Sequence, residues 1–140
     1  MGNLEAITSL LVSKLKSEYM PYKSKHAAAI IDNCGNCLSI GLNSDRLLKP
    51  FISTHAEMNA LNKLKSKFIK KNQKIDILVL RLNKLHSNLS NSHPCIFCLL
   101  KMKKFPIRNV YYSDDNGNIV KCSLTKLLYF EPHYKCKKYL

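Results

Sequence analysis

The sequence predicts an α/β fold in which helices flank a mixed sheet of five strands. Two observations support this prediction: apolar residues recur at helical spacing in some segments, and other segments are short apolar runs bounded by turn residues. The two kinds of segment follow the order α-β-β-α-β-α-β-β-α. Because interleaved helices and strands pack in layers, we expect a two-layer or three-layer sandwich around the sheet.

The first half of the chain predicts a helix, a β-hairpin and a second helix. Apolar residues at helical spacing predict the first helix over residues 3–18: Leu4, Ile7, Leu11 and Leu15. Residues 27–32 and 37–42 are short apolar runs, and the Asn-Cys-Gly-Asn turn of residues 33–36 between them favours a hairpin. One face of the second helix carries four residues: Glu57, Leu61, Leu64 and Phe68.

The second half begins with a strand and a third helix. Residues 75–82 are rich in Ile, Leu and Val, which predicts a central strand. Pro94 suits the first turn of a helix, and Pro106 cannot continue one, so we expect the third helix between them.

The sequence then predicts a hairpin, a short helix and a tail. Residues 110–113 and 118–122 flank residues 114–117, whose Asn-Gly pair favours a tight turn. We therefore expect the last two strands of the sheet to form an antiparallel hairpin. A short helix is predicted over residues 123–130, and residues 131–140 form a basic, aromatic tail.

The composition is that of one domain spanning residues 1–140. Hydrophobic residues make up 46% of the chain, which suffices for a core and excludes an intrinsically disordered protein. No apolar run approaches the ~20 residues of a membrane span, and the N-terminus lacks the pattern of a secretory signal. We therefore expect a cytoplasmic protein without a membrane partner.

The charge is strongly basic, with 23 Lys+Arg against 9 Asp+Glu and a formal net charge of +14. Such a field attracts polyanions, of which nucleic acid is the usual one. However, only three of the basic residues are Arg, the residue preferred for reading phosphates and bases, and Asn and Ile are also plentiful. An AT-rich coding sequence produces the same mixture, so both interpretations of the charge stay open.

Six cysteines in a chain without an export signal indicate metal binding or catalysis rather than a disulfide framework. They are Cys34, Cys37, Cys95, Cys98, Cys122 and Cys136. The first C-x-x-C pair has two interpretations. It is either half of a second, structural zinc site completed by the last two cysteines and His133, or a pair of reduced thiols without a metal.

Two motifs at the starts of predicted helices carry the candidate chemistry. They are Thr54-His55-Ala56-Glu57 and His93-Pro94-Cys95-Ile96-Phe97-Cys98. The N-terminus of a helix lowers the pKa of nearby thiols, which prepares them to bind a metal. His55, Cys95 and Cys98 therefore predict a zinc site with three protein ligands and an open fourth position, as in catalytic zinc sites. Glu57 is placed to move the proton of the attacking water.

Each motif alone also has a simpler interpretation. Thr54 and Glu57 have the spacing of a capping box, and Cys95 and Cys98 have the spacing of a redox pair. A redox pair does not need His55 and Glu57, however, and a capping box does not need two thiols at another helix start. The joint occurrence of the two motifs therefore favours the zinc site.

Together the motifs resemble the H-x-E…P-C-x-x-C signature of the zinc-dependent cytidine and deoxycytidylate deaminase superfamily. The resemblance extends over about residues 25–122 and includes Gly41-Leu42-Asn43, which precedes the first motif. It implies that Asn43 contacts the sugar of the substrate, and that the backbone N–H groups of Ala56 and Cys95 hold the base. It also implies the superfamily's fold, with Glu57 as the general acid and base.

The resemblance implies a Zn²⁺-dependent conversion of cytosine to uracil in a cytidine or deoxycytidine unit, as a nucleotide or within single-stranded nucleic acid. Three alternatives stay open: a tRNA adenosine deaminase, a catalytically idle nucleic-acid-binding module, and a structural zinc protein. An intact Glu57 argues against the idle module, because an idle site does not need its acid. Members of the superfamily range from monomers to tetramers, so a homo-oligomer also stays open.

Three features bear on the choice of substrate. Histidine as the first ligand resembles the deoxycytidylate, tRNA-adenosine and nucleic-acid-editing branches, whereas an antiparallel last hairpin resembles the free-nucleoside branch. The 36 residues between Glu57 and Pro94 form a longer segment than is usual in the superfamily. The excess lies in residues 83–92, which we expect near the mouth of the active site.

Overall fold

The computed structural model describes residues 2–17, 25–46, 49–64, 73–83 and 88–129. The first elements are α1 (Gly2–Ser17), β1 (Lys25–Ile31), β2 (Cys37–Leu42), β3 (Ser44–Arg46), β4 (Lys49–Thr54) and α2 (Ala56–Lys63). The remaining elements are β5 (Ile75–Leu82), β6 (Leu89–Ser90), α3 (Ile96–Met102), β7 (Ile107–Ser113), β8 (Ile119–Ser123) and α4 (Leu124–Tyr129).

The main sheet is mixed and has the strand order β2-β1-β5-β7-β8. The strands β5 and β7 are parallel, whereas β1 pairs antiparallel with both β2 and β5, and β8 pairs antiparallel with β7. The mixed α/β fold and the antiparallel last hairpin are therefore confirmed. The sheet has a sixth strand that the sequence did not predict, because β6 pairs with the end of β5 over only two residues.

The sheet lies between two layers of helices, so the described part of the chain forms a three-layer sandwich. Successive side chains of a strand point to opposite faces. One face of β1 and β5 packs on α1 through a cluster that includes Ile7, Leu11, Leu15, Ala27, Ala29, Leu78 and Leu80. The other face packs on α2, α3 and α4 through a cluster that includes Ala28, Ile30, Ala60, Ile77, Val79, Leu99 and Leu127. Residues of β5 take part in both clusters, as expected of the predicted central strand.

The helix α2 lies unusually close to β2 at Gly41. A Cβ atom on Gly41 would lie 2.3 Å from the backbone nitrogen of Ala60 and 2.5 Å from the backbone oxygen of Ala56. The Ser39 hydroxyl donates a hydrogen bond to the Ala60 carbonyl at 2.6 Å, and the Asn59 side chain donates one to the Leu42 carbonyl. These contacts fix the position of α2 against the sheet.

Some predicted boundaries differ from those observed. The strand β7 begins at Ile107, three residues before its predicted start, and the small sheet of β3 and β4 was not predicted. The predicted residue Phe68 of the second helix and the predicted tail of residues 131–140 lie outside the described residues. No described helix combines the length and the apolar character that crossing a membrane requires.

Candidate active site

Three of the predicted site residues meet where α2 and α3 begin. His55 is the N-cap of α2 and Cys95 is the N-cap of α3, and both have extended backbone conformations without a side-chain capping hydrogen bond. Their side chains instead lie close together. The Nδ1 atom of His55 lies 3.1 Å from the Sγ of Cys98 and 3.6 Å from the Sγ of Cys95. The capping-box interpretation does not describe this helix, because His55 and not Thr54 is the N-cap.

The chemistry and spacing of this group fit a zinc ion. One ligand atom from each of His55, Cys95 and Cys98 lies within 4.8 Å of the other two. Tetrahedral zinc with Zn–S bonds near 2.3 Å and Zn–N bonds near 2.0 Å holds a nitrogen and a sulfur ligand about 3.6 Å apart, close to the observed spacing. Among the described residues, no fourth His, Cys, Asp or Glu joins the group. This leaves the coordination position that a catalytic zinc needs.

The protonation of the group suits a divalent cation. A hydrogen bond from the Cys98 thiol, together with one from His55, lowers the pKa of Cys95 to about 4. The same hydrogen bond, burial and the nearby Glu57 carboxylate raise the pKa of Cys98, and the hydrogen bond to Cys95 raises the pKa of His55. The lowered pKa of Cys95 favours the thiolate form that a metal binds, and a bound cation would favour the deprotonated forms of Cys98 and His55 as well.

The metal-ligand group opens into a cavity of about 290 Å³. The cavity is lined by His26, Asn43, His55, Glu57, Arg81, Asn91, Ser92, His93 and Cys95. Its volume is at the small end of the range for ligand-binding pockets, which suits one small molecule or one nucleotide unit. Cys98 is not among the residues that line the cavity, and it is 2% exposed.

Glu57 reaches the cavity from the first turn of α2. Its side chain is buried, with 4% of the residue exposed, and burial raises the pKa of its carboxyl group above the usual value. A carboxyl group with a raised pKa exchanges protons more readily near neutral pH, as general acid–base catalysis requires. Ala56 is fully buried between His55 and Glu57, and it is not itself among the residues that line the cavity.

A second wall of the cavity, the strand wall, is formed by His26 of β1, Arg81 of β5 and Asn43, which follows β2. The Oδ1 atom of Asn43 accepts a hydrogen bond from the His26 backbone N–H at 2.9 Å, and the Asn43 N–H donates one to the His26 carbonyl at 3.1 Å. His26 lies directly opposite Arg81 in the pairing of β1 with β5. Burial, followed by the charges of Arg81 and His55, lowers the pKa of His26 to about 4, so its imidazole is neutral at pH 7.

The segment before Cys95 is held by hydrogen bonds to the sheet. The Ser92 hydroxyl donates to the Val79 carbonyl at 2.7 Å and accepts from the Ser113 N–H at 2.7 Å. The Asn91 side chain accepts from the His93 N–H, and the His93 ring packs edge-on against Tyr112. Of the segment 83–92, which was predicted to lie near the mouth of the site, the last two residues, Asn91 and Ser92, line the cavity.

Five residues that line the cavity were not predicted as site residues: His26, Arg81, Asn91, Ser92 and His93. A weak signal was present for two of them. His26 and Arg81 are polar residues near the ends of two mostly apolar strands, and polar side chains at strand ends often face a site.

The structure describes only part of the alternative second zinc site, so both interpretations of the first C-x-x-C pair stay open. Cys34 and Cys37 are exposed, Cys122 is half-buried, and they belong to no group of three potential ligands. Cys136 and His133 lie outside the described residues. Within the described part of the chain, Cys34, Cys37 and Cys122 form no disulfide bond.

Comparisons with known proteins agree with this geometry. No curated protein sequence matches the chain. Among solved structures, the fold resembles the cytidine deaminase of Burkholderia pseudomallei, with a TM-score of 0.66 and 21% identity over 90% of this chain and 96% of the other. It also resembles the cytidine deaminase of Mycobacterium leprae, with a TM-score of 0.63 and 15% identity over 91% and 98% of the two chains.

The cytidine deaminase of Mycobacterium tuberculosis is a third structure with this fold, with a TM-score of 0.58 and 16% identity over 86% of this chain and 89% of the other. At these identities the structures show a shared fold. The family model of the cytidine and deoxycytidylate deaminase zinc-binding region matches residues 1–114, which is most of the chain and includes both motifs. The chain therefore belongs to the cytidine and deoxycytidylate deaminase family.

Proposed function

We propose that this protein is a zinc-dependent hydrolytic deaminase that converts cytosine to uracil in a cytidine or deoxycytidine unit. The observation that carries the proposal is the meeting of His55, Cys95 and Cys98 beside the buried Glu57 carboxyl group in one cavity. A ligand group alone would also suit a structural metal. A buried carboxyl group beside an open ligand position is the arrangement that hydrolysis needs.

Each residue of this group has a distinct role in the proposed reaction. His55, Cys95 and Cys98 hold the zinc ion, which when bound activates water as a nucleophile near neutral pH. Glu57 accepts a proton from the attacking water. It passes this proton to N3 of cytosine, then takes the proton of the new hydroxyl group on C4 and delivers it to the amino group. The C4–N bond then breaks and ammonia leaves, so that water and cytosine give uracil and ammonia.

The other predicted site residues position the substrate in the proposal. Asn43 lines the same cavity as Glu57 and His55, and in the proposal its side chain contacts the sugar attached to the base. Its hydrogen bonds with the backbone of His26 hold the side chain in one orientation. The backbone N–H of Ala56, at the start of α2, would hold the base beside Glu57.

A cytosine substrate is favoured over adenosine by the fold. The antiparallel pairing of β7 with β8 is typical of the free-nucleoside branch, whereas polynucleotide editors usually have parallel strands there. The similar structures are those of cytidine deaminases. These likenesses support a free, single-unit substrate over a base within a tRNA.

The experiment that tests the proposal is a deamination assay of the zinc-loaded protein read by mass spectrometry. The substrates are cytidine, deoxycytidine, their monophosphates, single strands of DNA and RNA with one cytosine, and an adenosine-containing tRNA hairpin. Glu57→Gln keeps the shape of the side chain but cannot move the proton, so turnover is expected to fall by roughly 10²- to 10⁴-fold with zinc content unchanged. Glu5→Gln, the same change at an exposed position of α1, is the matched control.

The outcomes separate the candidate functions. Turnover of a cytosine substrate that depends on Glu57 supports the proposal, and the substrate that is used identifies the branch. Turnover of the tRNA hairpin alone assigns the adenosine reaction instead. A zinc-loaded protein that binds single strands and deaminates nothing is the idle module. Wild-type turnover in Glu57→Gln contradicts the role given to this carboxyl group.

A further inference from the structure

Among the described residues that line the cavity, one carries a guanidinium group, Arg81. In the same set, one residue carries a carboxyl group, Glu57, which lies beside the metal ligands. The remaining described lining residues are histidines, amides, a hydroxyl and a thiol. The described lining therefore offers a ligand one guanidinium group, and that group is not on an element that carries a metal ligand.

The register of the sheet places Arg81 next to the residue assigned to the sugar. Arg81 faces His26 across the β1–β5 pairing, and His26 is hydrogen-bonded through its backbone to Asn43. The three residues therefore follow one another along the strand wall. If the base lies at Glu57 and the sugar at Asn43, a group attached to the sugar extends toward Arg81.

The side chain of Arg81 suits a phosphate group. A guanidinium carries five N–H donors in a planar fork, so it can keep a partner within the protein and still bind two phosphate oxygens. Its backbone is held on both sides, by His26 of β1 and by Ser90 of β6. A cation on a paired strand presents its charge at a defined point, which favours specificity.

We propose that Arg81 binds the phosphate on the sugar and makes a cytosine nucleoside monophosphate the preferred substrate of this enzyme. This inference rests on the proposed function and names the substrate class of the same site. A phosphate on the same sugar also occurs in a nucleic acid strand. The cavity of about 290 Å³ favours the single nucleotide, because it has room for one nucleotide unit and little more.

The test compares kcat/KM for matched pairs of substrates: cytidine with cytidine monophosphate, and deoxycytidine with deoxycytidine monophosphate. The wild-type enzyme is expected to prefer the monophosphate of a pair by roughly tenfold or more. Because hydrogen bonds between charged groups are strong, Arg81→Gln is expected to reduce this preference by roughly 10- to 100-fold. Lys126→Gln removes the same charge from an exposed position of α4 and is expected to leave the preference unchanged.

A second variant separates the effect of the positive charge of Arg81 from the effect of its bidentate hydrogen bonding. Arg81→Lys keeps the positive charge but loses the bidentate geometry, so it is expected to retain an intermediate preference. If Arg81→Gln does not fold, the substrate preference of Arg81→Lys still tests the inference. Equal losses on nucleoside and monophosphate in both variants would overturn the inference, as would a wild-type preference for the nucleoside.

Two further measurements complete the test. One asks whether the phosphate belongs to a monophosphate or to a nucleic acid strand, and the other applies if the proposed function itself fails. Preference for a single strand of DNA or RNA over every monophosphate, lost in Arg81→Gln, would overturn the monophosphate in favour of a strand. If the wild-type protein deaminates no cytosine compound, the proposed function fails, and calorimetric titration then decides the inference. Tighter binding of cytidine monophosphate than of cytidine that depends on Arg81 supports it, and equal binding of the two overturns it.

Discussion

The substitution Gly41→Ala tests whether the close approach of α2 to β2 positions the metal-ligand group. The added methyl group would lie 2.3 Å from the Ala60 nitrogen, 2.5 Å from the Ala56 oxygen and 2.8 Å from the Asn59 carbonyl carbon. All three neighbours are backbone atoms of one helix, so none can rotate away. Relief requires movement of α2 itself, by about 1 Å if ordinary contact distances are to be restored.

This movement has two expected consequences. Forcing a methyl group into a packed interface costs about 1–3 kcal/mol of unfolding free energy. The movement also separates His55 and Glu57, at the start of α2, from Cys95 and Cys98, at the start of α3. A 1 Å displacement of reacting groups lowers an enzymatic rate by roughly 10²-fold, and zinc affinity is expected to fall as well.

The assay combines urea unfolding, zinc affinity measured by competition with a chromophoric chelator, and deamination rate. Gly117→Ala is the control, because Gly117 has a φ of 82° in the β7–β8 turn and a side chain there is strained without touching α2. The control is expected to lose about 1 kcal/mol of stability and to keep its zinc affinity. Gly41→Ala with the stability and zinc affinity of the wild type would refute the reasoning.

Two further variants test the metal-ligand group and the strand wall. Cys98→Ala is expected to lower both the zinc content and the free energy of unfolding, because a buried ligand is lost. Full zinc occupancy of this variant in metal analysis would show that Cys98 is not a ligand. His26 has a folded-state pKa of about 4, below its ordinary 6.5. Its contribution to stability is therefore complete above pH 6.5 and is lost as the pH falls toward 4, by at most about 3 kcal/mol. The difference in unfolding free energy between His26→Asn and the wild type is expected to change over this range, and a constant difference from pH 7 to pH 4.5 would contradict it.

Local sequence patterns predicted most of the fold because its main elements have clear periodicity. The strand predicted over residues 75–82 has the observed bounds, since an apolar run buried on both faces gives a strong signal. The strand β6 left no such signal, because two residues paired with the end of β5 depend on tertiary contacts alone. The strands β3 and β4 lack the alternation that marks a strand, so no local pattern indicated them.

The site was predictable to a different extent on its two walls. His55, Glu57 and the two cysteines belong to short motifs in which the spacing itself carries the chemistry. His26 and Arg81 meet only because β1 pairs with β5 in one register, and this register joins residues 55 positions apart. The sequence of one strand does not state the register in which its partner pairs, so the strand wall could not be predicted without the folded structure.

The separation of the metal ligands along the chain also constrains the order of folding. His55 precedes Cys95 by 40 residues and Cys98 by 43. The strand β5 lies between them in the chain and pairs with both β1 and β7 in the centre of the sheet. Closing so long a loop has an entropic cost that the contacts of the completed sheet offset. We therefore expect the capture of a zinc ion to be a late step of folding, and the rate of zinc uptake during refolding to report the assembly of the central strands.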